Sequence, residues 1–311
     1  NALAPWPAER RHAATVFGAG GRVVWQRSGM ADDHPPTPRL ETRAVHAGNP
    51  RPAPGEPAVR PMSPATVWAS EDTDDYDAIL YPRLNNLPNH RQLAEKLCSL
   101  SGGAAAVVTA SGMAAITTAL LSVLSDGGHL LIDRRLYGGT FSFVTADLPR
   151  FGMHYDIIDA DQPTARWRDK LRDNTRAIYT EAVSNPTIRV VDHVRVAAFA
   201  RQHDLVAMID NTFATPVGFR PLERGYDVEL HSATKYLNGH SDLVAGCIIT
   251  KTAAAIRPMC SMLNHLGGTL PPQACYLLER GMKTLVLRFR AQSDAAAQIA
   301  LWLSTHPAVS R

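Results

Sequence analysis

The chain has 311 residues, 45% of them hydrophobic and 20% charged, with a formal net charge of +3 at pH 7. That balance excludes disordered and fibrous classes and leaves enough apolar surface for one large domain with an appendage. Basic and acidic residues are interleaved rather than blocked, which argues against nucleic acid or a membrane surface as partner and points to a small molecule.

Residues 1–40 form a Pro-, Arg- and Ala-rich leader with little periodicity, in which Met30 is a candidate translation start. Gly18-Ala19-Gly20-Gly21 looks superficially like a dinucleotide loop. It lacks the full G-x-G-x-x-G and a downstream acidic residue after a second strand, and is read as coincidence. The N-terminus has no signal-peptide pattern, and no apolar stretch reaches the roughly 18 residues that span a bilayer. Cys98, Cys247, Cys260 and Cys275 make no C-x-x-C pair and lie in apolar contexts, which reads as free thiols in a reducing cytoplasm. The 12 histidines show no ligand spacing, so no metal site is expected.

From about residue 90 the pattern alternates. Residues 91–100 predict a helix, 104–109 a strand, 113–124 a helix, 129–133 a strand and 140–151 a helix. Strands follow at 153–158 and 176–183, then a helix at 194–203 and strands at 205–210, 228–231 and 244–250. Short apolar strands separated by helices predict an α/β fold, a three-layer α/β/α domain with a mainly parallel sheet. In such sheets ligands bind beyond the carboxyl ends of the strands, so the residues just after each apolar run carry the chemistry. After residues 267–272 a long helical pattern over 273–303, interrupted only by Gly281, leads to no compact domain. The expectation is a chain whose C-terminal domain is missing.

Only five lysines occur, Lys96, Lys170, Lys235, Lys251 and Lys283. Lys235, in His231-Ser232-Ala233-Thr234-Lys235-Tyr236, follows an apolar run between small hydroxyl residues, as a cofactor anchor would. The other four sit in amphipathic or charged surroundings and read as solvated. Ser111-Gly112-Met113 turns a strand into a helix, where glycine lets backbone N–H groups face a phosphate, although such a glycine is also commonly structural. Asp210 closes the run 205–209 with hydrophobic walls behind it, and taken alone it also reads as a turn cap. Tyr137, after another strand, offers an aromatic face. Together these parts match the needs of pyridoxal 5'-phosphate: an amine for its aldehyde, a carboxylate for its ring nitrogen, and a cup with Ser232 and Thr234 for its phosphate.

These residues also carry a resemblance. Tyr81-Pro82-Arg83, Ala110-Ser111-Gly112-Met113-Ala114-Ala115, Leu136-Tyr137-Gly138-Gly139-Thr140, Glu181 with Asn185-Pro186, Ile209-Asp210-Asn211-Thr212 and the lysine motif make residues 42–311 similar to the Cys/Met-metabolism (trans-sulfuration) family of pyridoxal-phosphate enzymes. The resemblance implies the large domain of a fold-type I transferase over 91–270, with Lys235 as Schiff-base lysine and proton shuttle. It implies Asp210 as pyridinium partner, Tyr137 as stacking residue and possible base, and Gly112, Met113, Ser232 and Thr234 as phosphate ligands, with Thr212 beside them. Residues 41–90 would form an arm whose Tyr81 and Arg83 reach a neighbour's phosphate across a homodimer or homotetramer interface, while Asn185 contacts cofactor or substrate.

Two departures stand out. The turn after Arg83 reads Leu84-Asn85-Asn86-Leu87-Pro88-Asn89 instead of the usual Ser-Asn-Pro-Thr-like sequence, and the family's substrate-clamping arginine of the C-terminal domain has no counterpart before Arg311. Methionine γ-lyases typically carry cysteine where this chain has Gly139, which disfavours that activity. The implied function is a carbon–sulfur lyase acting on cystathionine or a related small sulfur-containing amino acid. The alternatives are a γ-replacement enzyme using an O-acylhomoserine, a catalytically incomplete fragment that binds only the cofactor, or, more remotely, an aminotransferase.

Overall fold

Seven apolar runs become strands, and their order builds the site. The computed structural model describes residues 38–49, 51–69 and 79–310. The leader with Met30 and the Gly18 run lies outside these described residues. The strands are β1 (Ala105–Thr109), β2 (His129–Asp133), β3 (His154–Ile158), β4 (Thr175–Glu181), β5 (Val206–Asp210), β6 (Val228–His231) and β7 (Gly246–Thr250). They form one sheet in the order β1-β7-β6-β5-β4-β2-β3. Neighbours from β6 to β3 are parallel, while β7 runs antiparallel to both β1 and β6. The mainly parallel expectation therefore holds with one reversed strand. A parallel return needs a crossover layer, whereas residues 232–245 coil into turns at the carboxyl end of β6 and feed straight back as β7.

Strand alternation divides the buried side chains between two faces. Val107, Leu130, Tyr179, Met208, Leu230 and Ile248 face one side. There α3 (Gly112–Val123) and α8 (Ile256–Leu266) cover them with Ala115, Ile116, Leu120, Met259 and Leu263. On the other side Ile178, Ala207 and Ile209 meet Val196, Phe199 and Ala200 of α6 (His193–Gln202). Val108, Cys247 and Ile249 meet α2 (Pro88–Ser101), α9 (Pro272–Met282) and α10 (Leu285–Ser304). The domain is thus three layers, α/β/α.

Three sequence expectations need correction. The segment predicted as one helix over 140–151 starts at Gly138 and changes from α to π to 3-10 winding before ending at Phe151. The long helix over 273–303 is two helices, and the break falls at Lys283 and Thr284 rather than at Gly281, which lies within α9 and is glycine where a Cβ would meet the Asn238 carbonyl oxygen at 2.4 Å. Lys96 is not solvated. It is fully buried and donates to the carbonyls of Ala44 (2.6 Å) and Val45 (3.1 Å), with Glu279 Oε1 at 3.4 Å. The cause is that α1 (Leu40–His46) and α9 both pack on α2 and close over the amine.

Candidate active site

Strands β1, β2, β4, β5 and β6 all end on one edge of the sheet, with Thr109, Asp133, Glu181, Asp210 and His231 as their last residues. Beyond that edge lies a cavity of about 1140 Å³. Nine of the eleven residues singled out in the sequence line it: Lys235, Asp210, Tyr137, Gly112, Met113, Ser232, Thr234, Asn185 and Thr212.

Lys235 sits in the turn that follows β6. Its N–H donates to the Ser232 carbonyl (3.1 Å), its carbonyl accepts from Gly239 N–H (2.7 Å), and its side chain is exposed along the cavity wall. No other lysine lines this cavity. The N-terminus of α3 approaches the same turn. Gly112 lies so close to Ser232 that a Cβ would stand 2.7 Å from the serine Cβ, so a larger residue would push α3 away. Ser111 caps the helix, its Oγ accepting from Ala114 N–H at 3.0 Å. The first-turn N–H groups of Gly112 and Met113 have no partner inside the helix, and both residues line the cavity beside Ser232, an arrangement able to receive an anion. Thr234, expected to share in that position, lines the cavity and exchanges hydrogen bonds with Ala245: its hydroxyl donates to the carbonyl (3.1 Å) and accepts the N–H (3.0 Å). Its one hydroxyl proton therefore holds the turn against β7.

Asp210 is buried at the end of β5, and Oδ1 accepts both the Thr212 N–H (2.9 Å) and the Thr212 hydroxyl (2.5 Å). Thr212 Oγ1 in turn accepts Ser232 N–H (2.8 Å), which ties Asp210 to the lysine turn. Among the described residues Oδ2 has no protein donor, so one carboxylate oxygen is left for a cation. Burial holds the Asp210 carboxyl above its ordinary range, against the opposing pull of Thr212 and His231.

Glu181, quoted in a motif but given no role from sequence, proves central. It accepts the N–H groups of Tyr137 and Asn185, so one carboxyl fixes the two loops that carry them. Burial and the Asp210 charge push it up to about 8. The signal was available, since Glu181 closes an apolar strand just as Asp210 does. Tyr137 is half exposed over the cavity, and a Cβ on Gly139 would stand 2.7 Å from its Cε1, so the ring occupies the space that a larger residue at 139 would need.

Tyr81 and Arg83 are not brought to this cavity. The Arg83 guanidinium lies 5.4 Å from the Tyr81 ring centre and donates to the Asn264 carbonyl (3.3 Å) at the end of α8. Arg288, Tyr236 and Phe213 line the cavity without having been singled out. Among the described residues no His, Cys, Asp or Glu group is arranged for a metal ion, and no helix is long and apolar enough to cross a membrane.

The pieces fit pyridoxal phosphate: an open amine, a carboxylate with one free oxygen, an aromatic face and an anion cup around one cavity. Comparison with known proteins agrees. Residues 41–311 match the family model described as Cys/Met metabolism PLP-dependent enzyme. The chain is 38% identical over 274 residues to cystathionine beta-lyase MetC of Bacillus subtilis, which covers 88% of this chain and 69% of that protein. It is 34% identical over 270 residues to a probable cystathionine gamma-synthase of Herpetosiphon aurantiacus, covering 87% and 84%. Other curated relatives are matched over only 58 to 60% of their length. A solved putative O-acetylhomoserine (thiol)-lyase from Campylobacter jejuni, which carries an N'-pyridoxyl-lysine-5'-monophosphate, superposes with TM-score 0.81 at 28% identity, over 87% of this chain and 76% of that one.

Proposed function

The chain belongs to the Cys/Met-metabolism family of pyridoxal-phosphate-dependent enzymes, and from that membership we propose that it forms the cofactor-binding part of a carbon–sulfur lyase of sulfur amino-acid metabolism. Its substrate is cystathionine or a related small sulfur-containing amino acid, cleaved by α,γ- or α,β-elimination. The observation that carries this reading is the single cavity joining Lys235, Asp210, Tyr137 and the Gly112 turn.

Pyridoxal phosphate supplies, when bound, an electron sink next to the substrate's α-carbon. Lys235 Nζ would hold the cofactor's aldehyde and, as the amine nearest the reacting carbons, would move protons at the substrate's α-carbon and further along its chain. Asp210 Oδ2 keeps the ring nitrogen protonated, with Thr212 fixing the carboxylate. The N–H groups of Gly112 and Met113 and the Ser232 hydroxyl hold the phosphate, while Thr234 acts by holding the turn. Tyr137 gives the ring a face to stack on and a hydroxyl that can move a proton. Asn185, held through Glu181, orients the cofactor or the substrate carboxylate.

Residues 91–270 are the cofactor-binding domain in this reading, and 271–311 supply the helices that pack behind it. Residues 41–90 are an arm, and Tyr81 with Arg83 serve the site of a second subunit in a homodimer or homotetramer. Their position away from the chain's own cavity supports this. Free thiols at all four cysteines suit a reducing cytoplasm.

Product analysis tests the reading. Ammonia and an oxo acid from cystathionine support the lyase. A new thioether from an acylhomoserine plus a thiol would favour γ-replacement instead, the activity in the name of the Herpetosiphon relative. Cofactor binding without turnover of either substrate would make the chain a binding fragment.

A further inference from the structure

The turn that carries Lys235 is held by one side chain of α10 that also lines the cavity. Arg288 lies in the first turn of that helix, and its guanidinium reaches back across the chain. Nη1 donates to the carbonyl of Tyr236 (2.9 Å). Nη2 contacts the carbonyls of Leu237 (3.4 Å), Asn238 (3.3 Å) and Gly281 (2.9 Å). Nε donates to Thr284 Oγ1 (3.0 Å). Tyr236, Leu237 and Asn238 are the three residues directly after the lysine, in a turn that no helix continues, so their carbonyls need donors from elsewhere. A planar fork of N–H groups is the side chain suited to three successive carbonyls.

The seat is built to receive this fork. Gly239 has φ +73°, and a Cβ there would stand 1.9 Å from Arg288 Nη1, so only glycine both adopts the turn and leaves room for the guanidinium. At Gly281, near the end of α9, a Cβ would stand 2.4 Å from the Asn238 carbonyl oxygen. Phe289, the next residue of α10, packs edge-on against Tyr236 with ring centres 5.8 Å apart. Among the described residues no carboxylate pairs with Arg288, so its hydrogen bonds go to the lysine turn, the end of α9 and Thr284. Desolvation lowers its pKa, consistent with a charge held among carbonyls.

We infer that Arg288 is a positioning residue for Lys235, through which the placement of α10 sets the aim of the lysine amine. This rests on the reading of Lys235 as cofactor anchor and adds a mechanical link to it. Whatever shifts α10 must, through the fork, shift the turn.

The test uses the full chain with Arg288→Met, and Thr284→Val as a milder variant that removes the Nε acceptor together with the Thr284 hydroxyl's own bond to the Gly281 carbonyl (3.2 Å). In the cofactor-free protein the amides of Asn238 and Gly239 are bonded within the turn, to Ala233 O (3.0 Å) and Lys235 O (2.7 Å). Their hydrogen exchange is expected to quicken about tenfold or more in Arg288→Met and by less in Thr284→Val, while amides of β5 stay protected. With cofactor bound, the pH midpoint of the visible band is expected to shift by about half a unit or more, which a role in packing alone would leave in place. If Arg288→Met does not fold, Thr284→Val carries the test. Borohydride labelling of Lys235 together with wild-type exchange and midpoint in the folded variants overturns this inference alone. Labelling of another lysine overturns the functional reading and the inference with it.

Discussion

Glu181 and Asp210 are register partners at the carboxyl ends of β4 and β5. Two buried carboxyl groups thus stand side by side at the floor of the cavity. Both are raised by burial, but Thr212 and His231 favour the Asp210 charge, and that charge then raises Glu181 to about 8. Glu181 therefore keeps its proton near neutrality.

That proton gives a stability signature. The folded value of about 8 lies above the ordinary 4.5, so between the two the native state holds a proton that the unfolded chain has released, and stability falls as pH rises through this window. Glu181→Gln keeps one oxygen for the Tyr137 N–H, gives up the oxygen that accepts the Asn185 N–H, and cannot ionise. Denaturant unfolding of the cofactor-free proteins at pH 5 and pH 8 should show the wild type losing on the order of 2 kcal/mol more than the variant. Parallel losses would contradict the assignment.

Thr212→Val removes the hydroxyl that joins Asp210 to the Ser232 N–H. It should cost about 1–3 kcal/mol of stability in the cofactor-free protein and weaken cofactor binding about tenfold. Thr212→Ser should restore most of both. Denaturant midpoints and a cofactor titration measure the two effects, and unchanged affinity in Thr212→Val would show that Asp210 does not need this support.

Gly112→Ala places a methyl group 2.7 Å from Ser232 Cβ and 2.9 Å from its Cα. The α3 N-terminus and the lysine turn must then separate, at a cost of about 1–3 kcal/mol, and the phosphate cup should open. Cofactor affinity should fall while affinity for pyridoxal without its phosphate changes little. Equal losses for both ligands would argue against an anion position here.

Lys96→Met tests the buried amine outside the site. Its loss leaves the Ala44 carbonyl without its side-chain donor, although the Val45 carbonyl keeps Asn49 Nδ2 (3.0 Å) and Glu279 keeps Lys283 at 3.3 Å. Unfolding free energy should drop by about 3 kcal/mol. An unchanged denaturation midpoint would mean that the amine is hydrated rather than buried.

Much of this molecule was legible before its coordinates. Strands β2 and β6 fall where their apolar runs end, and Asp210 and Lys235 stand at carboxyl strand ends because polar groups bounding buried runs have nowhere else to go. Glu181 obeys the same rule but stood only as part of a motif. Arg288 was not singled out because its meaning lies in carbonyls about 50 residues earlier in the chain, and side-chain contacts to backbone leave no pattern in sequence. Lys96 misled for a related reason. Its neighbours in sequence look solvated, while the elements that bury it come from both ends of the described chain. The α8 helix carries helical apolar spacing at Ile256, Met259 and Leu263, and was not among the elements expected from the sequence.

The most direct test of the account is where the cofactor attaches. The full chain, supplied with pyridoxal phosphate, reduced with borohydride and digested, should yield one pyridoxyl-labelled peptide containing Lys235, and Lys235→Ala should yield none. A label on Lys96, Lys170, Lys251 or Lys283, or no visible band before reduction, would contradict the account.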